Sequence, residues 1–183
     1  MPRKRIFRVD SPQGRIEKRV FVGGDYRFLP VLREIADAVS SSGFTAIRPW
    51  DYFMPRGQTR DYSLKLLHNC RYAIFEITTE GGHLQELEHT KDFDCLAFGV
   101  YQARDNSEEP PGYVTSMVTT YGIPLYGYTS FKQLGRLIND NLNSSRSWRP
   151  SKTLDLLRRQ WLPPKQKRLL LKSARRIEKM RTT

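Results

Sequence analysis

Residues 71–91 read RYAIFEITTEGGHLQELEHTK and decide the fold, because a strand, a glycine turn and a helix follow one another without a break. The segment 72–77 is short, mostly apolar and rich in β-branched and aromatic side chains, which is typical of a buried strand. Gly81 and Gly82 allow a tight turn, and the residues after them favour a helix. A helix that starts at a glycine turn suits an anionic or sugar-bearing ligand, so we take Glu86, about one turn into the helix, as the candidate for chemistry.

The chain has 183 residues, enough for one sizeable core with appended segments. No apolar run approaches the length of a membrane span, and the first residues lack the apolar segment of a signal peptide. We therefore expect a cytoplasmic protein with no membrane contact. Cys70 and Cys95 lie in apolar surroundings without metal-ligand spacing, and we interpret them as core residues rather than a disulfide.

The net charge of +12 is concentrated at the two ends of the chain. Residues 1–19 carry seven basic against two acidic side chains, and residues 143–183 carry thirteen against two. Residues 20–142 carry eleven against fifteen, so the centre is mildly acidic. A basic tail could bind nucleic acid or another polyanion, or could cover an acidic surface of a protein partner, and the sequence leaves both open.

Three parts are predicted along the chain. Residues 1–18 form a basic N-terminal arm, residues 19–142 form an α/β domain, and residues 143–183 form a basic helical tail. Trp161 and the leucine run at residues 169–171 need burial, so we favour a tail packed on the domain or on a second subunit over a dedicated nucleic-acid arm. The predicted tail helices cover residues 153–162 and 165–181.

Apolar strand segments alternate with helical patterns at roughly 20- to 30-residue spacing, which is typical of an open parallel sheet with helices on both faces. Such a sheet binds ligands at the carboxyl ends of its strands, where the glycine turns after the first and third strands both lie. The predicted strands are 19–22, 44–47, 72–77, 94–101 and 123–128, and the predicted helices are 28–42, 60–70, one from 83 onward, 113–121 and 131–142.

Residues 23–142 resemble the nucleoside 2-deoxyribosyltransferase-like superfamily, which includes the 2'-deoxynucleoside 5'-phosphate N-hydrolases and is related to TIR domains. Three patches carry the resemblance: a glycine loop after the first strand, an Arg-Asp pair opening a helix, and an acidic strand end followed by a glycine turn and Glu-Leu. In this chain the patches are Gly23-Gly24-Asp25-Tyr26-Arg27, Arg60-Asp61, and Phe75-Glu76-Ile77-Thr78 with Gly82 and Glu86-Leu87.

The resemblance implies a flavodoxin-like fold and cleavage of the N-glycosidic bond of a nucleoside or nucleotide, with Glu86 as the nucleophile. In that chemistry a carboxylate attacks the anomeric carbon and forms a glycosyl-enzyme. Asp61 or Glu80 would protonate the leaving base, and Arg27 with Arg60 would hold a phosphate. The implied substrate-binding residues are Gly23, Gly24, Asp25, Tyr26, Arg27, Arg60, Gly81, Gly82 and His83.

The resemblance also implies a homodimer or larger oligomer, and we expect no cofactor. His83 and His89 lack a third ligand at useful spacing, so no metal site is predicted. Tyr26, Trp50 and Tyr52 could stack on a base or could simply fill the sheet edge.

The chain departs from the family pattern at Glu88, which replaces the glycine after Glu-Leu, and at Gln58-Thr59, where the N-hydrolases have His-Glu. Glu88 is an alternative working carboxylate, because a glycine pair followed by a glutamate also resembles the lysine-decarboxylase-like phosphoribohydrolases, although their Gly-Thr after the glycine pair is absent here. The candidate functions are an N-glycosidase or deoxyribosyltransferase, a TIR-like NAD hydrolase, and a non-catalytic nucleotide-binding or assembly module. In the last of these, residues 143–183 would dock on nucleic acid or protein.

Overall fold

The computed structural model describes residues 7–79, 83–90, 95–104 and 123–143, with the backbone alone at residues 83–85. The strands within these ranges are β1 (Arg19–Gly23), β2 (Thr45–Ile47), β3 (Tyr72–Glu76), β4 (Leu96–Gln102) and β5 (Leu125–Tyr128). The helices are α1 (Leu29–Ser41), α2 (Thr59–His68), α3 (His83–His89) and α4 (Phe131–Asn143).

All strand pairs are parallel, and the sheet order is β2-β1-β3-β4-β5. This is the order of flavodoxin-like sheets, so the predicted fold class is confirmed. Strand β3 lies in the middle and is buried from Ala73 to Glu76. A parallel strand covered by helices on both faces must be apolar on both faces, which is why its residues form a continuous run and not an alternating pattern.

Each face of the sheet packs a separate core. Helix α1 presents its apolar residues at helical spacing, with Leu32, Ile35 and Val39 fully buried on the same face as Ile74 of β3. Helix α4 packs beside α1 on this face. The opposite face is covered by α2 and α3, and its core includes Phe21, Leu66, Leu67, Cys70, Phe75 and Leu87.

The glycine turn after β1 is required by close packing. A Cβ atom at Gly23 would lie 2.6 Å from the ring of Phe75, and one at Gly24 would lie 2.6 Å from Leu32 and 3.1 Å from the Cβ atom of Glu76. The chain at the end of β1 therefore lies directly against the end of β3. This close approach brings the loops after β1 and β3 together at one edge of the sheet.

Residues 7–18 of the predicted arm pack on the domain. Phe7 forms a parallel bridge with Tyr52, and Val9 is buried. The guanidinium group of Arg19 binds four backbone carbonyl oxygens, those of Pro12, Gln13, Gly14 and Asn69, at 2.8 to 3.2 Å.

The observed bounds of the helices and strands differ from the predicted bounds by only a few residues. A 3-10 turn at Tyr26–Phe28 precedes α1, because Asp25 caps it and delays the helix start. Helix α2 ends at His68, where the following residue, Asn69, caps it, and β4 begins at Leu96.

The predicted helix at 113–121 and the tail beyond residue 143 lie outside the described residues. In the described ranges no helix combines the length and apolar character that a lipid bilayer requires.

Candidate active site

Glu86 lies in the first turn of α3 and faces α2. The hydroxyl group of Ser63 on α2 donates a hydrogen bond to Glu86 Oε1. Ser63 is 1% exposed, and Leu87, which follows Glu86, is buried in the core below. The packing of α2 on α3 therefore fixes one carboxylate oxygen of the candidate nucleophile.

Burial raises the pKa of Glu86 to about 7, although the hydrogen bond from Ser63 lowers it. A carboxyl group removed from water loses the solvation that stabilises its ionised form. Near neutral pH Glu86 is therefore present in both protonation states. Such a group can act as a nucleophile when ionised and as an acid when protonated.

Tyr26, after β1, and Trp50, after β2, form an aromatic pair. Their ring centroids are 6.1 Å apart and their planes make an angle of 81°, an edge-to-face arrangement. Burial raises the pKa of Tyr26, and the negative charge of Glu86 raises it further, so the two groups lie within electrostatic range. The phenol stays protonated at neutral pH, and Tyr26 remains 48% exposed at the sheet edge.

Asp25 organises the turn after β1 and holds Arg27. Asp25 Oδ1 accepts a hydrogen bond from the backbone N–H of Arg27 at 2.9 Å, which caps the 3-10 turn. Its other oxygen, Oδ2, accepts from Arg27 Nε at 2.7 Å and pairs with Nη2 at 2.5 Å. The Arg27 side chain is 74% exposed, so its guanidinium remains open to solvent at the edge where a ligand would arrive.

A second polar group lies at the end of β3. Glu76 is 1% exposed, and its Oε1 accepts hydrogen bonds from the backbone N–H and the hydroxyl of Thr78. Thr78 Oγ1 in turn accepts from the backbone N–H of Gln102 at 2.9 Å, which ties the chain after β3 to the end of β4. Burial raises the pKa of Glu76, the bonds from Thr78 oppose the rise, and the charge of Asp25 adds to it.

The described residues bring together part of the predicted site. Glu86, Tyr26 and the Gly23–Arg27 turn lie at the carboxyl edge of the sheet. Arg60 and Asp61 are exposed on the first turn of α2. Glu88 is exposed on α3, whereas Glu86 is half-buried. Glu80, Gly81 and Gly82 lie outside the described residues, and His83 is described in its backbone alone.

Tyr52 and Ser63 are both buried. Tyr52 is buried and packs on Phe7 with a centroid distance of 5.8 Å, so it fills the core below the edge. Ser63 was absent from the predicted site, although its position on the inner face of α2, three and four residues before Leu66 and Leu67, offered a signal. A hydroxyl on the buried face of a helix needs a polar partner.

Within the described residues no group of three or more metal-ligating side chains is positioned to hold a metal ion.

No protein-family profile and no curated protein matches this sequence significantly. Among solved structures the chain is similar to the CMP N-glycosidase BcmB of Clostridium botulinum, with a TM-score of 0.50 and 14% sequence identity. The match covers 67% of this chain and 98% of that one. At this identity the likeness shows the α/β fold that the two chains share.

Proposed function

We propose that this protein is a nucleotide N-glycosidase in which Glu86 is the nucleophile. The observation that carries the proposal is the Glu86 carboxyl group, which is desolvated, held at Oε1 by Ser63, and within electrostatic range of the partly exposed Tyr26. A desolvated carboxyl group at the ligand-binding edge of a parallel sheet is a physical signature of an active site. The fold is shared with a protein whose activity is CMP N-glycosidase, which supports the same class of reaction.

The reaction would proceed in two displacements. In the first, ionised Glu86 forms a bond to the anomeric carbon, the bond from that carbon to the base nitrogen breaks, and the base leaves with its electron pair and takes up a proton. In the second, water attacks the same carbon and passes a proton to the group that earlier protonated the base, while the bond to Glu86 breaks and its electron pair returns to the carboxylate. Transfer to another base in place of water would give deoxyribosyltransferase activity.

The remaining groups at this edge supply binding and the proton. The aromatic pair Tyr26 and Trp50 offers a face for stacking on the base. Arg27 offers a guanidinium for the phosphate, while Asp25 holds it in place. For the leaving base, the resemblance favours Asp61 or Glu80 as the acid, and the protonated phenol of Tyr26 is a further donor near Glu86.

The test is release of free base from a panel of substrates by the full-length protein. CMP, dCMP, the other ribo- and deoxyribonucleotides, nucleosides and NAD are incubated separately, with and without a second base as acceptor, and free base is measured by chromatography. We expect base release from at least one nucleotide, abolished by Glu86→Gln and retained by Glu88→Gln. The second variant is a matched control two residues away on the same helix, and it also decides between the two glutamates.

Nucleotide binding without base release would reject the glycosidase and leave a nucleotide-binding module. Base release confined to NAD would instead favour a TIR-like hydrolase. Base release that survives Glu86→Gln would place the nucleophile elsewhere.

A further inference from the structure

We propose that Ser63 is a positioning residue for Glu86: its buried hydroxyl holds Oε1 and leaves the second carboxylate oxygen to attack the sugar. The inference rests on the proposed function, because it assigns a role within the same site. Ser63 lies on α2, outside the set of site residues that the sequence and the resemblance predict.

The orientation of the Ser63 hydroxyl is the first argument. A serine within a helix commonly donates back to the carbonyl oxygen four residues earlier. Two serines at the end of α1 do so in this chain, with Ser40 donating to Ala36 O at 2.9 Å and Ser42 to Ala38 O at 2.8 Å. Ser63 instead donates across the helix interface to Glu86. Its hydroxyl is therefore oriented by the carboxylate.

Burial is the second argument. Ser63 is 1% exposed and lies on the inner face of α2 beside Leu66 and Leu67, both fully buried. A hydroxyl in such surroundings is stable only with a hydrogen-bond partner, and a carboxylate there gains more from a donor than it would in water. Two groups that depend on each other in this way have little freedom to rotate.

The same hydrogen bond acts on both chemical steps. While Oε1 accepts from Ser63, the second oxygen forms the bond to the anomeric carbon. Oε1 then becomes the carbonyl oxygen of the glycosyl ester and still accepts from Ser63. When water attacks the anomeric carbon, it passes a proton to the group that earlier protonated the leaving base. The bond to Glu86 breaks and its electron pair returns to the carboxylate, which the donor stabilises. Loss of the donor therefore slows breakdown of the ester.

The donor also controls the pH at which Glu86 ionises. A hydrogen bond to the charged form favours that form, and the bond from Ser63 lowers the pKa of Glu86 against the effect of burial. Among the described residues, Tyr26 also interacts electrostatically with Glu86, and its phenol is protonated at neutral pH. Removal of the Ser63 hydroxyl is expected to move the acidic limb of the pH–activity profile to higher pH.

The experiment compares wild type, Ser63→Ala and Ser63→Thr, with Ser40→Ala as a control helical serine outside the site. The rate kcat is measured against pH with the best nucleotide found, and the carboxyl carbon of Glu86 is titrated by NMR in the resting protein. For Ser63→Ala we expect a fall in kcat of about tenfold or more, because a hydrogen bond to a charged group is lost. We also expect the acidic limb and the titration midpoint to move upward together.

Ser63→Thr keeps the hydroxyl and is expected to retain the wild-type titration midpoint, and Ser40→Ala is expected to leave both measurements unchanged. The proposal is overturned if Ser63→Ala keeps the kcat and midpoint of wild type, or if kcat falls while the midpoint stays in place, which would indicate a structural role. Failure of the proposed function is distinguishable: wild type would then release no base. In that case the positioning role falls with it, while the NMR midpoint still reports whether Ser63 controls Glu86.

Discussion

The phenol of Tyr128 lies across strand β4 from the buried carboxyl group of Glu76: burial raises the pKa of the phenol, the charge of Glu76 raises it further, and the side chain of Thr78 lowers it. Glu76 and Tyr128 each hold one buried oxygen that makes no well-formed hydrogen bond among the described residues. The oxygens are Glu76 Oε2 and Tyr128 Oη, at the carboxyl ends of β3 and β5. Unpaired buried polar atoms cost stability. The two oxygens of Glu76 and Tyr128 lie at the edge of the sheet where ligands bind in folds of this kind.

Glu76→Gln is expected to remove part of the pH dependence of stability. The pKa of Glu76 is raised in the folded protein, mainly by burial, so its contribution is fully present below the unfolded pKa of about 4.3 and is lost as pH rises through the folded value. Glutamine stays neutral at every pH. The free energy of unfolding, measured in urea from about pH 4 to about pH 9, should therefore fall less steeply with rising pH in the variant.

Glu34→Gln on the exposed face of α1 is the matched control, and it should leave the slope unchanged. Equal slopes for wild type and Glu76→Gln would show that Glu76 titrates alike in the folded and unfolded states.

Tyr128→Phe is expected to change the free energy of unfolding by less than about 1 kcal/mol, because the buried hydroxyl that it removes makes no well-formed hydrogen bond among the described residues. The ring stays in place and keeps its burial. Equilibrium urea unfolding measures the change. A loss well above that value would mean that the phenol makes a hydrogen bond of its own.

Arg19→Met is expected to destabilise the protein by about 2 kcal/mol, because one guanidinium holds four backbone carbonyl oxygens of the N-terminal segment and of the residue that caps α2. Methionine keeps much of the apolar volume and removes every donor. Amide hydrogen exchange across residues 7–18 should rise in parallel. Arg33→Met on the exposed face of α1 is the control. Equal stability of the two variants would contradict a stabilising role for the hydrogen bonds of Arg19.

Glu86→Gln is expected to stabilise the protein above neutral pH. The folded pKa of about 7 lies above the unfolded value, so wild type loses stability as pH rises from about 4.5 to about 7 and then levels off. Thermal unfolding should show that the variant is more stable than wild type by about 1–3 kcal/mol at about pH 8, with little difference in stability at about pH 4. A variant less stable than wild type at both pH values would contradict a desolvated carboxyl group at this position.

The alternation of strands and helices could be predicted because apolar runs such as residues 72–77 are distinctive and parallel sheets bury both faces of a strand. The position of Glu86 one turn after a glycine pair placed it at the ligand-binding edge. The Asp25 cap was also visible in principle, since aspartate at the start of a turn is a favoured cap.

The contact of Ser63 with Glu86 could not be predicted, because it depends on how α2 and α3 pack. The proximity of Glu76 and Tyr128 likewise depends on the strand order, which brings residues 52 positions apart to one edge. Local sequence patterns determine where helices and strands form, whereas side chains from different helices and strands come into contact only through tertiary packing.

The most direct test of Glu86 as nucleophile is mass spectrometry of the protein quenched in acid during turnover of its best nucleotide. We predict that the peptide containing Glu86 gains the mass of the sugar phosphate, and that Ser63→Ala accumulates more of this adduct than wild type. Base release with no adduct at Glu86, or with the adduct at Glu88, would contradict the account.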